Sequence, residues 1–400
     1  MTLPFTSIKV ASEEHEYRCE ALRQHLDGQG LNGAVLFDRH YILYYTGFAF
    51  IPTERPIAFA INRKGERLMF VPRLEVEHAK SLGLADHIAH YPEYPHNPHP
   101  MTYLAKALHD LGITGWIGAD HDGYPWIFGY RGQKLSELMS ADVMKIAGFI
   151  EDQMMVKSER EIALVREACK WANIAHTLLQ RYTRVGLTET EVSQRASDEA
   201  TRALYDTLGG IYRAQSEYYS GAVAGYRGQI GRAASIPHAL ANNVTFQTGD
   251  VLVTGAASAM WGYNSELERT MIIGKPTDDQ RRMFDHMCAL QEIGMLAIKP
   301  GVPCSDVDRA VRAYYEQHNL MDYWRHHVGH AIGLRYHEAP FLDIGDDTII
   351  KPGMIFTVEP GLYSPGLGGF RHSDTVLVTP HGVEILTYYP RDLESLTLPG

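Results

Sequence analysis

Four histidines stand close together late in the chain, in the stretch HHVGHAIGLRYHEAP: His326, His327, His330 and His337. Small residues between them (Gly329, Ala331, Gly333) let side chains approach a common point. A turn at Lys351-Pro352-Gly353 and a β-branched run, Ile355 to Val358, lead to Glu359. Arg371, His372 and Asp374 then open a second such strand, Thr375 to Val378. Imidazoles and carboxylates gathered at strand ends are what general acid–base or metal chemistry requires. Any one of these histidines is equally well a surface or core residue; the cluster as a whole defines a site.

Upstream, SIPHALANN places His238 after Pro237, and WGYNSELERTMIIG alternates so that Glu266 and Glu268 share one face of a strand while Arg269 points the other way. Adjacent acids commonly line a solvated strand face. Here Tyr263 and the apolar run Met271 to Ile273 flank them and predict a largely buried strand. A buried pair of carboxylates needs a cation, a metal or shared protons.

The elements that position these residues are legible in part. A chain of 400 residues predicts two domains, read here as 1–155 and 156–400. The first combines a helix from Ser12, strands near 34–37, 57–61, 68–71 and 116–118, and a helix over 103–111, a mixed α/β pattern. Within it, YYTGFAFIPTERPIAF reads either as a loop packed by its own aromatics or as a substrate-facing loop with Arg55 as an anion clamp. From about residue 155 the pattern changes. Ser158–Glu161, Thr188–Glu191 and Thr277–Gln280 have the capping-box form, and Ser305 is read as a further cap. Helix, glycine turn, hydroxyl cap and helix occur twice, in RVGLTETEV and KPGVPCSDV, each followed by a strand-rich segment (211–275 and 326–390). This weak duplication predicts two αα-plus-sheet halves with a site between them.

Composition narrows the partners. A net charge of −11 argues against nucleic acid or an anionic membrane, and no apolar run approaches a membrane span. Four scattered cysteines without a CxxC pair, and a start lacking a signal-peptide pattern, predict free thiols and a cytoplasmic protein.

In order and spacing, SIPHALANN, GYNSELERT, HHVGHAIGLRYHEAP, VEPGLY and the Arg371 strand resemble the pita-bread family, which includes aminopeptidase P, prolidase, methionine aminopeptidase and creatinase. The resemblance spans the chain. It implies an α+β fold with a pita-bread C-terminal domain, a smaller creatinase/prolidase-type N-terminal domain, and a homodimer. The peptidases of that family hold two metal ions on Asp, Asp, His, Glu and Glu. Carried across, the second Asp falls on Glu266, the first on Gly255, the His on His330, and the glutamates on Glu359 and Ser373. Two ligands, including the bridging one, are therefore replaced.

This pattern predicts a C–N bond hydrolase that works without metal, as creatinase does, on a small nitrogen-rich substrate. In that reading Glu268 and Glu359 bind a planar cation, with Tyr263, Glu266 and Arg371 as further substrate contacts. His238 transfers protons, while His330 and His337 orient water and Arg55 holds a carboxylate. Thr53, and the peptidase-like HEAP after Tyr336, depart from creatinase and argue against creatine itself. Two other readings stand beside it: an Xaa-Pro peptidase with one divalent transition-metal ion on Glu266, His330 and Glu359, and a binding protein without turnover. Relatives in this position handle dipeptides, creatine or cyclic solutes such as ectoine.

Overall fold

The structure is a computed structural model that describes residues 9–400. The chain divides into two compact units, Val10–Met154 and Met155–Gly400.

In the first unit a six-stranded sheet runs, across its width, His87–Tyr91, Arg67–Pro72, Ala58–Asn62, Gly33–Leu36, Trp116–Ala119 and Asp142–Lys145. Gly33–Leu36 pairs antiparallel with Ala58–Asn62 and parallel with Trp116–Ala119, so the sheet is mixed. Its central strands are buried along their whole length, as their runs of apolar residues (Gly33–Leu36 and Ala58 to Ile61) require. Two helices differ from expectation. Residues Arg39–Thr46 form a helix that takes in the first three residues, Tyr44 to Thr46, of the aromatic stretch expected to be a loop, because the Asp38 side chain accepts the His40 and Tyr41 N–H groups and Gly47 (φ 70°) closes the other end. The next difference is one of register: the helix expected from residue 103 starts at Pro100, whose fixed φ suits a first turn.

In the second unit the three capping boxes form as read. Ser158, Thr188 and Thr277 start the helices Glu159–Tyr182, Glu189–Leu208 and Asp278–Ala297. Ser305 is not a cap: the helix Cys304–Gln317 begins after Pro303, and the Ser305 hydroxyl donates to Asp347. A nine-stranded sheet carries the rest. Its main path runs Tyr263–Asn264, Gly255–Met260, Leu267–Glu268, Ser373–Thr379, Ile355–Val358, Gly329–Ala331 and Glu338–Leu342. The two halves of the unit meet where Leu267 faces Asp374 and Glu268 faces Ser373 in antiparallel register. That seam brings Glu266 and Glu268 from one half beside Arg371 and Ser373 from the other.

Under the seam lies Arg269, fully buried. All five of its N–H donors are used: Nη2 on Asp374 Oδ1 (2.7 Å) and the Tyr389 carbonyl, Nη1 on the Glu268 and Ser373 carbonyls, and Nε on the Pro390 carbonyl. Asp374 also accepts from Thr387 and Gln291. Its expected place among the site acids is therefore corrected: it neutralises a core arginine. His372 is likewise structural, accepting the Thr270 N–H and donating to the Arg391 carbonyl. Removing one partner strands a buried charge. Asp374→Ala should cost about 3–5 kcal/mol in urea denaturation, with a change below about 1 kcal/mol showing that the pair is not what holds the seam.

Candidate active site

Glu266, His330 and Glu359 converge. Each offers one ligand atom, and the three atoms lie within 4.8 Å of one another. Glu266 sits at the seam, where Ser373 Oγ donates to its Oε1 at 2.6 Å. Glu359 follows the strand Ile355–Val358 and is tied by its N–H to the Val328 carbonyl. His330 lies on Gly329–Ala331, and this strand can approach its neighbour only because residue 329 is glycine: a Cβ there would stand 2.0 Å from the Thr357 carbonyl oxygen. The His330 Nδ1 donates to the Ala331 carbonyl at 3.0 Å, which leaves Nε2 aimed at the acids. Nε2 is 3.2 Å from Glu359 Oε1 but makes no aligned hydrogen bond there, and it is buried.

The electrostatics are those of a cation site. Burial, together with the charges of Glu359 and Glu268, pushes Glu266 up to about 7. Burial also opposes ionisation of Glu359, but His330 and Arg371 outweigh it and hold that carboxyl well below the usual range. For His330 burial is outweighed in the same way, by Glu359 and Glu266, and its pKa rises to about 9. Shared protons balance this cluster, and Glu266, His330 and Glu359 would hold a divalent cation in their place. The donor set of two carboxylates and one imidazole, with one buried nitrogen lacking an aligned partner, fits a single ion. A second ion finds no carboxylate at 255 or 373.

Glu268 is spoken for. Arg371 donates to it through both Nε and Nη2, and Arg227 Nη2 reaches its Oε1 at 3.0 Å. Two guanidinium groups of the chain thus fill the acid expected to receive a planar substrate cation. Arg371 Nη1 in turn donates to the Tyr363 hydroxyl (3.0 Å), which lies 2.7 Å from His326 Nε2. Because His326 Nδ1 donates to the His327 carbonyl, Nε2 accepts from Tyr363. Tyr363 and Arg227 were missed from sequence. Tyr363 sits in VEPGLY and could have been noticed, whereas nothing local marks Arg227.

His337 stacks on His330, with ring centroids 3.7 Å apart and planes at 16°. Desolvation and the His330 charge lower its pKa to about 4. The loop that carries it is held by a buried ion pair, Lys157 Nζ to Glu338 Oε2 at 2.9 Å, and Glu338 Oε1 accepts the Arg335 N–H. Gly333 makes room for that carboxylate, since a Cβ would meet it at 2.8 Å. His238 is exposed beside Pro237, whose carbonyl lies 3.4 Å from Arg371 Nη1. Two expected substrate contacts are committed elsewhere. Tyr263 is buried and gives its hydroxyl to Glu161, the capping acid of Glu159–Tyr182. Arg55, in the first unit, pairs with Glu93 and Glu54.

This fold and donor set are those of pita-bread metallohydrolases. Residues 163–380 match Metallopeptidase family M24, and residues 18–156 match the Creatinase/Prolidase N-terminal domain. The chain belongs to metallopeptidase family M24 and is a C–N bond hydrolase. It is 29% identical over 368 residues to an Xaa-Pro dipeptidase of Pyrococcus horikoshii, a match covering 90% of this chain and 94% of the relative. An Xaa-Pro dipeptidase of Pyrococcus furiosus is 26% identical over 383 residues (94% and 99% covered). The solved structure of an Xaa-Pro dipeptidase from Bacillus anthracis superposes with a TM-score of 0.80 at 26% identity, covering 96% of this chain and 100% of that one.

These findings overturn the expectation of a metal-free site. The family is one of metallopeptidases, the relatives named above are dipeptidases, and Glu266, His330 and Glu359 bring three donors together. The creatinase link holds for the N-terminal domain only. No helix among the described residues is long and apolar enough to cross a membrane.

The loop that presents His337 depends on a pair whose partners are 1% and 4% exposed. Lys157→Met should leave Glu338 buried and unpaired, destabilising the loop by about 3–5 kcal/mol. Amide hydrogen exchange at Arg335 reads this directly, and unchanged protection there would show that the pair does not secure the loop.

Proposed function

We propose that this chain is a dipeptidase of the Xaa-Pro type that holds one divalent transition-metal ion on Glu266, His330 and Glu359. The observation that carries the reading is the convergence of those three donors, with His330 Nε2 buried and left without an aligned partner. The dipeptidases among its relatives support the substrate class.

Hydrolysis adds water to the scissile carbonyl, breaks the C–N bond and delivers a proton to the prolyl nitrogen. A divalent cation in this shell supplies Lewis acidity for the carbonyl as charge builds on its oxygen. Ser373 Oγ fixes Glu266 through Oε1. The Ala331 carbonyl fixes the His330 tautomer, so that Nε2 stays directed at the acids. His337, braced against His330 and lowered in pKa, is neutral near pH 7 and donates a hydrogen bond to the substrate carbonyl. His238, exposed at the rim, carries the proton to the leaving nitrogen.

Two measurements test this reading. His238→Ala should lower kcat for Ala-Pro by about 10²–10⁴-fold, the usual contribution of a positioned proton carrier, and a loss within threefold would remove it from that role. Protein stripped with chelator should lose Ala-Pro hydrolysis and recover it on binding one equivalent of Mn²⁺, Co²⁺ or Zn²⁺ by calorimetry, with no uptake by Glu359→Gln. Two equivalents, or turnover indifferent to chelation, would overturn the single-ion reading.

A further inference from the structure

We propose that Arg227 anchors the terminal carboxylate of the substrate and thereby restricts the enzyme to dipeptides. The inference deepens the dipeptidase reading and rests on it. A dipeptide brings its C-terminal carboxylate within a few bonds of the scissile amide, into a site already walled by Glu266, Glu268 and Glu359. Such a group binds only where a cation with unused donors stands against it.

The cations around the site differ in what they have left to give. Arg269 has all five donors engaged on Asp374 and backbone carbonyls. Lys157 is sealed against Glu338. Arg371, 3% exposed, spends Nε and Nη2 on Glu268 and Nη1 on Tyr363 and the Pro237 carbonyl. Arg227 is the exception. Its side chain is 50% exposed and only Nη2 is engaged, on Glu268 Oε1 at 3.0 Å and Gln229 Oε1 at 3.3 Å. Its Nε and Nη1 meet no acceptor among the described residues.

Charge reinforces the point. One carboxylate, Glu268, lies between two guanidinium groups, so the trio carries a net positive charge, and its accessible member is Arg227. Position does the same. Arg227 lies close enough to Tyr336 for its charge to act on the phenol, and the Tyr336 ring stands 5.9 Å from His337, which stacks on His330. Finally, Arg227 holds a left-handed backbone (φ 50°) that arginine rarely adopts, next to Gly228 (φ 74°). Non-glycine residues held in that region cluster at ligand sites.

The test compares Ala-Pro with its C-terminal amide, which differs only in the carboxylate. Wild-type enzyme should favour the acid in kcat/KM by about tenfold to a hundredfold, the range of a charge-assisted hydrogen bond. Arg227→Asn removes the guanidinium and suits the left-handed backbone, so its melting temperature should match wild type while the acid:amide ratio falls to within threefold of one. Arg227→Lys, which keeps the charge but not the fork, should lie between. If wild type cleaves neither compound, the dipeptidase reading fails on its own, and the same ratio is read from calorimetric binding of the pair. An acid preference that survives in Arg227→Asn overturns the proposal, as does a wild type that shows no preference or binds neither compound.

Discussion

The site rests on one cross-strand junction. Where Leu267 and Glu268 pair with Asp374 and Ser373, the two halves of the second unit share a ladder only two residues long. So short a ladder is weak by itself, and Arg269 supplements it by donating to the carbonyls of Glu268 and Ser373 at once. The backbone positions that set Glu266, Glu268 and Ser373 are thus fixed by a charge in the core and by its counter-charge on Asp374. Chemistry at the surface of this sheet inherits its precision from a buried ion pair beneath it.

Above the junction, acids outnumber what water could tolerate if they were left unpaired, and the chain resolves this in two different ways. Glu268 is neutralised permanently, by Arg371 and Arg227. Glu359 is balanced by His330 with help from Arg371, and Glu266, raised by burial, by a proton, an arrangement that would yield to a cation. The same alternation of acids therefore produces a closed pair and an open one. Both partners come from the same side of the seam but from different depths in the sheet: an arginine two residues before Ser373 serves Glu268, and a histidine on the strand beyond Ile355–Val358 serves Glu266 and Glu359.

How much of this is legible in sequence follows from the range of each interaction. Capping boxes are local, so Ser158, Thr188 and Thr277 declare their helices without help. The helix Arg39–Thr46 is short and lacks a capping box, and its last turn, Tyr44 to Thr46, reads as the start of a loop until Asp38 is seen folding back on the helix. Ser305 shows the opposite error, a hydroxyl in the right place that bonds elsewhere. In the site, types and order singled out Glu266, His330 and Glu359, and the resemblance placed Gly255 and Ser373 where acids are expected. Counting did not show that the three survivors still converge, because their meeting point depends on strands separated by some ninety residues of chain. For the same reason Glu268 looked available: its partners lie 41 and 103 residues away and are joined to it only by the sheet.

Gly255 carries a last consequence. A Cβ built there meets nothing nearer than Glu268 Oε1, at 3.9 Å, so a side chain can leave the backbone there without a clash at its first carbon. Shape does not forbid an aspartate at that position; repulsion does. A further anion would join Glu266, Glu268 and Glu359 with no additional positive partner, and each would resist ionising in the presence of the others. An aspartate at this one position is therefore open in shape at its Cβ but disfavoured in charge beside three carboxylates.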